Sequence, residues 1–226
     1  MKAQDVMVRD IVTAHPDMKV SEAIELLAEH DVSALPVVDD DEQVVGVISE
    51  ADLIRREEID SVKHRPWWLE AVTPTATLAA ELAKAHGRRV AEVMSTDVVS
   101  AGEDASLAEI AALLEKHLIK RVPIIEDGRL VGIVSRSNLI QAMAMATSHP
   151  QAAVPSESDR SIRIELLSRL GEQDWTDFGD RNVIVTDKTV HLWGLVGSPE
   201  ERKALLALAE GVPGVARVSD EMIAVY

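Results

Sequence analysis

The sequence predicts a mixed α/β (α+β) protein: two successive β-α-β-β-α units, then a small α-β-β-α-β domain. Three observations carry this prediction. An internal repeat aligns Met7 with Met94 and Pro36 with Pro123, 87 positions apart, and then Gly46 with Gly132 and Ser49 with Ser135, 86 apart. The missing residue falls between the acidic clusters Asp39-Asp40-Asp41-Glu42 and Glu126-Asp127-Gly128, where a turn between apolar runs tolerates a deletion. After a polar stretch holding two prolines, the hydrophobic pattern changes, which marks a further domain.

Each element has a local reason. Short β-prone runs at 11–13 and 98–100 precede helices whose apolar residues recur at helical spacing: Val20, Ala23, Ile24 and Leu27, and Leu107, Ile110, Ala111 and Leu114. Ser106 and Glu109 form a capping box on the second of these helices; the first has Lys19 at the cap position and lacks one. Two β-runs joined by the acidic turn follow in each copy, at 35–38 and 44–48 and at 122–125 and 130–134. A closing helix begins at Ser49 or Ser135. The repeats are placed at 1–58 and 90–146, with a helical insert at 59–89, a joint at 147–159 and a last domain at 160–226. The insert carries Pro66-Trp67-Trp68 and a helix-forming run ended by Gly87. Its tryptophans read as core or as a subunit contact. In the last domain a helix is expected at 161–170, strands at 182–186 and 190–196, a helix from Pro199 under a Ser198 cap, and a strand at 218–225.

Composition narrows the function. The chain has 226 residues, a formal net charge of −16 and no cysteine. That charge repels phosphate backbones and anionic lipid, so nonspecific nucleic-acid binding and polybasic membrane docking are excluded as main activities. The absence of cysteine removes disulfides, thiolate nucleophiles and thiolate metal sites. With no apolar run long enough for a membrane span and an acidic start, the expectation is a cytoplasmic protein. His64, His86 and His117 have no partner at metal-ligand spacing, so no metal is assigned. There is no Gly-x-Ser-x-Gly, no phosphate loop ending Gly-Lys-Ser/Thr and no His-Glu-x-x-His, which leaves no catalytic residue to name.

Two families are resembled. Asp5-Val6-Met7 with Glu92-Val93-Met94, Val32 to Val38 with Ile119 to Ile125, and Gly46-Val47-Ile48-Ser49-Glu50-Ala51-Asp52-Leu53 with Gly132-Ile133-Val134-Ser135-Arg136-Ser137-Asn138-Leu139 resemble a tandem pair of cystathionine-β-synthase (CBS) domains. The resemblance implies two repeats packed as a pair, a regulatory rather than enzymatic role, a homodimer, and an adenosyl ligand such as AMP, ADP, ATP or S-adenosylmethionine in the clefts. Val190-His191-Leu192-Trp193-Gly194-Leu195-Val196-Gly197-Ser198 and the run from Gly211 to Val218 resemble the BON domain, a small α/β module. It is expected to offer a contact surface to the rest of the chain or to an unidentified protein partner.

The candidate ligand residues follow. Ser49 and Asp52 stand at a strand-to-helix junction, where N–H groups and a hydroxyl suit a phosphate and a carboxylate suits a ribose diol. Ser33, Ala34, Leu35 and Pro36 are positioned to admit a flat base, and the resemblance places Thr13 and Ser100 near the clefts. The second copy offers Lys120, Arg121, Val122, Pro123, Ser135 and Asn138. Ser-x-x-Asp is also the grammar of a helix cap, so two readings stand. Asn138 in place of the acid is a poorer double acceptor, while Lys120, Arg121 and Arg136 either hold phosphates or form a solvated surface.

Overall fold

The computed structural model describes residues 1–54, 87–148 and 155–225. The expected helical insert up to residue 86, with Trp67 and Trp68, lies outside the described residues, as do residues 149–154 of the polar joint. The chain forms two compact units: Met1–Asp10, Ser100–Ile124 and Val131–Tyr226 make one, and Ile11–Val99 with Ile125–Leu130 make the other.

The second of these holds the first repeat. Helix α1 (Val20–Glu29) buries Val20, Ala23 and Leu27, the stripe that its periodicity predicts. Its start is half capped: the Glu22 carboxylate accepts from the Lys19 N–H at 3.2 Å, but Lys19 offers no acceptor in return. Strand β1 (Ala34–Val38) pairs antiparallel with β2 (Val44–Ser49), Ala34 opposite Ser49 and Pro36 opposite Val47. The expected strand at 11–13 does not form. Only Ala14 bonds alongside β1, donating to the Pro36 carbonyl at 2.9 Å and accepting from the Val38 N–H at 3.0 Å. Helix α2 (Glu50–Leu53) closes the repeat, and after the insert comes α3 (Val90–Val93). Leu35, Val37 and Ile48 meet Ala23, Leu27, Val90 and Val93 in one core. Full burial of each Val, Leu or Ile side chain among them is worth about 1.5–3 kcal/mol.

The other unit holds the second repeat apart from its turn at 125–130, built alike from α4 (Leu107–Lys116), β3 (Arg121–Glu126), β4 (Arg129–Ser135) and α5 (Arg136–Ser148). The expected capping box on α4 is present: the Glu109 N–H donates to Ser106 Oγ at 3.2 Å, and the Ser106 N–H donates to Glu109 at 2.7 Å. As in the first repeat, the expected strand at 98–100 reduces to one bridge, Ala101 to Ile124. The deletion falls at the turn. Asp127 and Gly128 take φ of 50° and 82°, a two-residue hairpin turn that favours glycine, whereas the first repeat uses a wider loop with a bulge at Val37/Val38.

The two arms that precede the repeats are exchanged. Ala3, Val6 and Met7 lie in the core of the second repeat, with Ile110, Leu114, Val122, Ile124 and Val134. Val90 and Val93, with Met94 against them, lie in the core of the first. Val8 and Ile133 exchange both backbone hydrogen bonds at 2.9 Å, and Ser95 and Val47 do the same at 2.9 Å. The acids of the two matching motifs do matching work: Asp5 accepts from the Lys2 N–H at 2.7 Å, and Glu92 accepts from the Arg88 and Arg89 N–H groups at 2.6 and 3.1 Å. Those N–H donors hold the Glu92 carboxyl below its ordinary value.

The last domain also belongs to the first-named unit. Helix α6 (Glu157–Gly171) starts four residues earlier than expected, because Ser156 and Asp159, read from sequence as part of the joint, are its capping box. Strand β5 (Val183–Thr186) forms a hairpin with β6 (Thr189–Val196) around Asp187 and Lys188, both at positive φ. Helix α7 (Pro199–Glu210) then crosses over to β7 (Arg217–Ala224), which pairs parallel to β6. The inward residues Val183, Val185, Val190, Leu192, Val196 and Met222 pack under α6 and α7. Ile184, on the opposite face of β5, belongs to the second repeat's core, with Trp193 against it.

Candidate functional site

Strand alternation decides which candidate side chains can meet a ligand. Leu35 and Val37 point into the core, so Ala34 and Pro36 lie on the opposite face of β1, and their partners Ser49 and Val47 share it. Ala14 is buried in the core and bridges Val37, which puts Thr13 on the Pro36 side. The fold thus gathers Thr13, Ala34, Pro36, Ser49 and Asp52 on one face of the first repeat, with Ser33 at its edge. Ala34 and Pro36 are themselves buried there. Leu35 is the exception in direction: its side chain is fully buried in the core, which leaves only its backbone for a ligand role.

In the second repeat Ile124 and Val122 fill the core, leaving Arg121, Pro123 and Ser135 on the other face. Val122, fully buried, repeats the exception of Leu35. Ala101 bridges Ile124, so Ser100 falls on the Pro123 side. The Arg136 N–H donates to the Lys120 carbonyl at 3.2 Å, which brings Lys120, Arg121 and Arg136 to one end of the sheet.

The hydroxyl and its partner three residues on are bonded to each other in both copies. Ser49 donates from both its N–H and its hydroxyl to Asp52 Oδ2, at 3.0 and 2.7 Å. Ser135 does the same to Asn138 Oδ1, at 2.8 and 2.6 Å. The N–H groups expected to be open for a phosphate are therefore partly taken: the Glu50 N–H donates to the Ser33 carbonyl at 3.1 Å, and α2 spans only Glu50–Leu53.

One contributor escaped the sequence reading. Ser95 Oγ donates to Asp52 Oδ1 at 3.1 Å. The repeat alignment places Val8 at the equivalent position, which has no hydroxyl for Asn138. Pairing of Ser95 with the other repeat's sheet is a tertiary event, so no local signal announces it. The copies also differ in charge. Where the first has Ser33, Ala34, Glu50 and Asp52, the second has Lys120, Arg121, Arg136 and Asn138. Among the described residues no group of three or more His, Asp or Glu is disposed to hold a metal ion, and no helix is long and apolar enough to cross a membrane.

Comparison with known proteins agrees with this architecture. The CBS domain family matches residues 3–58 and 90–145, and the BON domain family matches residues 158–225. The chain is similar to the uncharacterized protein MJ1426 of Methanocaldococcus jannaschii, 31% identical over 63% of this chain and 91% of that protein. It is also similar to the CBS domain-containing protein YhcV of Bacillus subtilis, 32% identical over 60% of this chain and 81% of that protein. Inosine-5'-monophosphate dehydrogenase of Methanocaldococcus jannaschii is 28% identical over 77% of this chain, but the chain spans only 28% of that enzyme. Among solved structures, CBSX2 of Arabidopsis thaliana in complex with AMP superposes with a TM-score of 0.57 at 28% identity, over 65% of this chain and 98% of that one. These matches, on the elements described above, establish that the chain belongs to the CBS-domain family and carries two CBS domains followed by a BON domain.

Proposed function

We propose that this chain is a non-enzymatic regulatory protein whose CBS domains bind an adenosyl ligand and pass the resulting change to the BON domain or to a protein partner, working as a homodimer. The observation that carries the proposal is the Ser49–Asp52 pair, held at 2.7 Å on the face opposite the core with Thr13, Ala34 and Pro36 beside it. Asp52 has acceptor capacity for a ribose diol, and Ala34 and Pro36 make a small, apolar floor for a base. The AMP-bound CBSX2 structure supports the choice of ligand class. Lys120, Arg121 and Arg136 favour the more highly phosphorylated ligands at the second copy, and Asp52 favours a ribose hydroxyl pair at the first. A switch of this kind works only through different affinities for two states.

A second reading is favoured by one observation. Ser49 and Ser135 are each satisfied by their own helix turn, and the Glu50 and Arg136 N–H groups by carbonyls, which is what a ligand-independent scaffold needs. Calorimetric titration with AMP, ADP, ATP and S-adenosylmethionine separates the two. The second copy supplies the control, because Asn138 shows that an amide keeps the local cap. Asp52→Asn should therefore fold like the parent and bind AMP about tenfold or more weakly, the loss of a charge-assisted hydrogen bond. No heat with any of the four ligands at millimolar concentration overturns the nucleotide reading, and unchanged AMP binding by Asp52→Asn overturns the site.

A further inference from the structure

The N-terminal arm lies between the second CBS domain and the BON domain and is bonded to both. On the CBS side, Val8 exchanges its two backbone hydrogen bonds with Ile133 of β4, two residues before Ser135. Met7 is fully buried against Gly132, where an added Cβ would stand 2.3 Å from Met7 Sδ and 3.1 Å from Met7 Cβ. On the BON side, the Met7 carbonyl accepts from Arg163 Nη2 at 3.2 Å. The same guanidinium donates from Nη2 to the Asp180 carbonyl at 2.7 Å and from Nε to the Val183 carbonyl at 2.9 Å. Asp180 Oδ2 accepts from the Arg9 and Asp10 N–H groups at 2.8 and 3.3 Å. Arg160 Nε donates to the buried Asp5 carboxylate at 2.8 Å.

We propose that this arm is the coupling element of the protein: a shift of β4 at the second candidate site moves Met7 and, through Arg163, Arg160 and Asp180, changes how firmly the BON domain is held. The inference rests on the regulatory reading above and assigns the output to one of the two copies. Gly132 leaves no gap between β4 and Met7, so neither moves without the other. Every cation that α6 sends to the arm, Arg160 and Arg163, sits within two turns of the capped start of that helix, so tension on the arm is applied to the BON domain's first element. In the first repeat, the matching arm residue Met94 packs on Gly46, and an added Cβ there would stand 2.6 Å from Met94 Sδ. That contact belongs to the other unit, which does not contain the BON domain.

Two matched wedges test the proposal without a ligand. Hydrogen exchange of the full chain should show roughly tenfold faster exchange across 177–186 in Gly132→Ala, the size of effect an overpacked contact produces in the element it supports, and no change there in Gly46→Ala. Because coupling is reciprocal, Arg160→Gln on the BON side should speed exchange at Val8 and Ile133. This variant also decides the matter should Gly132→Ala fail to fold. Equal BON exchange in both glycine variants, or an Arg160→Gln effect confined to the BON domain, overturns the coupling. Exchange is also compared with and without ATP in Asp52→Asn, which leaves binding to the second copy. Heat on ATP binding by this variant without any change at 177–186 overturns the coupling but spares the nucleotide reading, whereas no heat from the parent with any of the four ligands overturns the nucleotide reading and leaves the wedge comparison to decide the arm's role.

Discussion

Replacing Arg163 with methionine measures what its guanidinium contributes to the BON domain. The side chain is 3% exposed and donates to three backbone carbonyls, those of Met7, Asp180 and Val183, while lying 3.3 Å from the Asp180 carboxylate. Burial is costly for this cation: it brings the pKa down from its ordinary value to about 10, and the attraction of Asp180 only partly opposes the fall. At about 1.4 kcal/mol per unit that is a penalty of about 3 kcal/mol. Three hydrogen bonds from a charged donor, at about 1.5–3 kcal/mol each, outweigh it. Methionine fills comparable volume, so the loss is chiefly polar, and three buried carbonyls are left bare. The expected destabilisation is about 3–5 kcal/mol, the range found when one member of a buried charged cluster is removed. Urea unfolding followed by tryptophan fluorescence reads this directly in a Trp67→Phe, Trp68→Phe background, where Trp175 and Trp193 of the BON domain supply the signal. With a slope of about 1–3 kcal/mol per molar, the midpoint should fall by about 1 M or more. A fall worth less than about 1 kcal/mol would refute the reasoning, because the penalty of burial would then have cancelled the hydrogen bonds.

Two further outcomes are expected. Asp159 accepts from Ser156 and from the Lys188 N–H at 2.7 Å; burial alone would push its carboxyl up, but these donors outweigh burial and hold it below the ordinary value. Its contribution is therefore present above about pH 4, the unfolded value, and lost as pH falls through the lower folded value. Asp159→Asn should cost about 1–2 kcal/mol at pH 7, with the difference from the parent narrowing in acid-unfolding curves below pH 4; a gap that widens in acid contradicts this. Lys19→Ser should complete the half-made cap of α1, since Glu22 already accepts from the Lys19 N–H. A gain of about 0.5–1 kcal/mol in chemical unfolding is expected, only slightly reduced by loss of the exposed 3.7 Å Lys19–Glu22 pair.

Which features were legible in the sequence follows from their range. Helices α1 and α4 were legible because periodicity and capping are written within a dozen residues, and the hairpin turn because the acidic clusters differ by one position. The start of α6 was misplaced although its Ser156/Asp159 box is just as local, because two nearby prolines made the stretch read as a joint. The runs at 11–13 and 98–100 failed as strands because only Ala14 and Ala101 reach a partner, and pairing is not encoded in β-propensity. At the candidate site the sequence named the Ser49–Asp52 pair and its neighbours. It missed Ser95, and it included Leu35 and Val122, whose side chains the pleat turns into the core.

By itself, the sequence determined the repeat, the α-β-β-α order within each copy, the acidic charge and the hydroxyl-acceptor pairs at the two helix starts, because each is fixed by residue type at short range. Only the tertiary structure decided that the arms are exchanged, that Ser95 joins Asp52, and that Arg160 and Arg163 grip the first ten residues. These contacts link residues 43 to 156 positions apart. Closing such loops costs entropy that only a shared buried core repays, and no local pattern records which distant segment will share it.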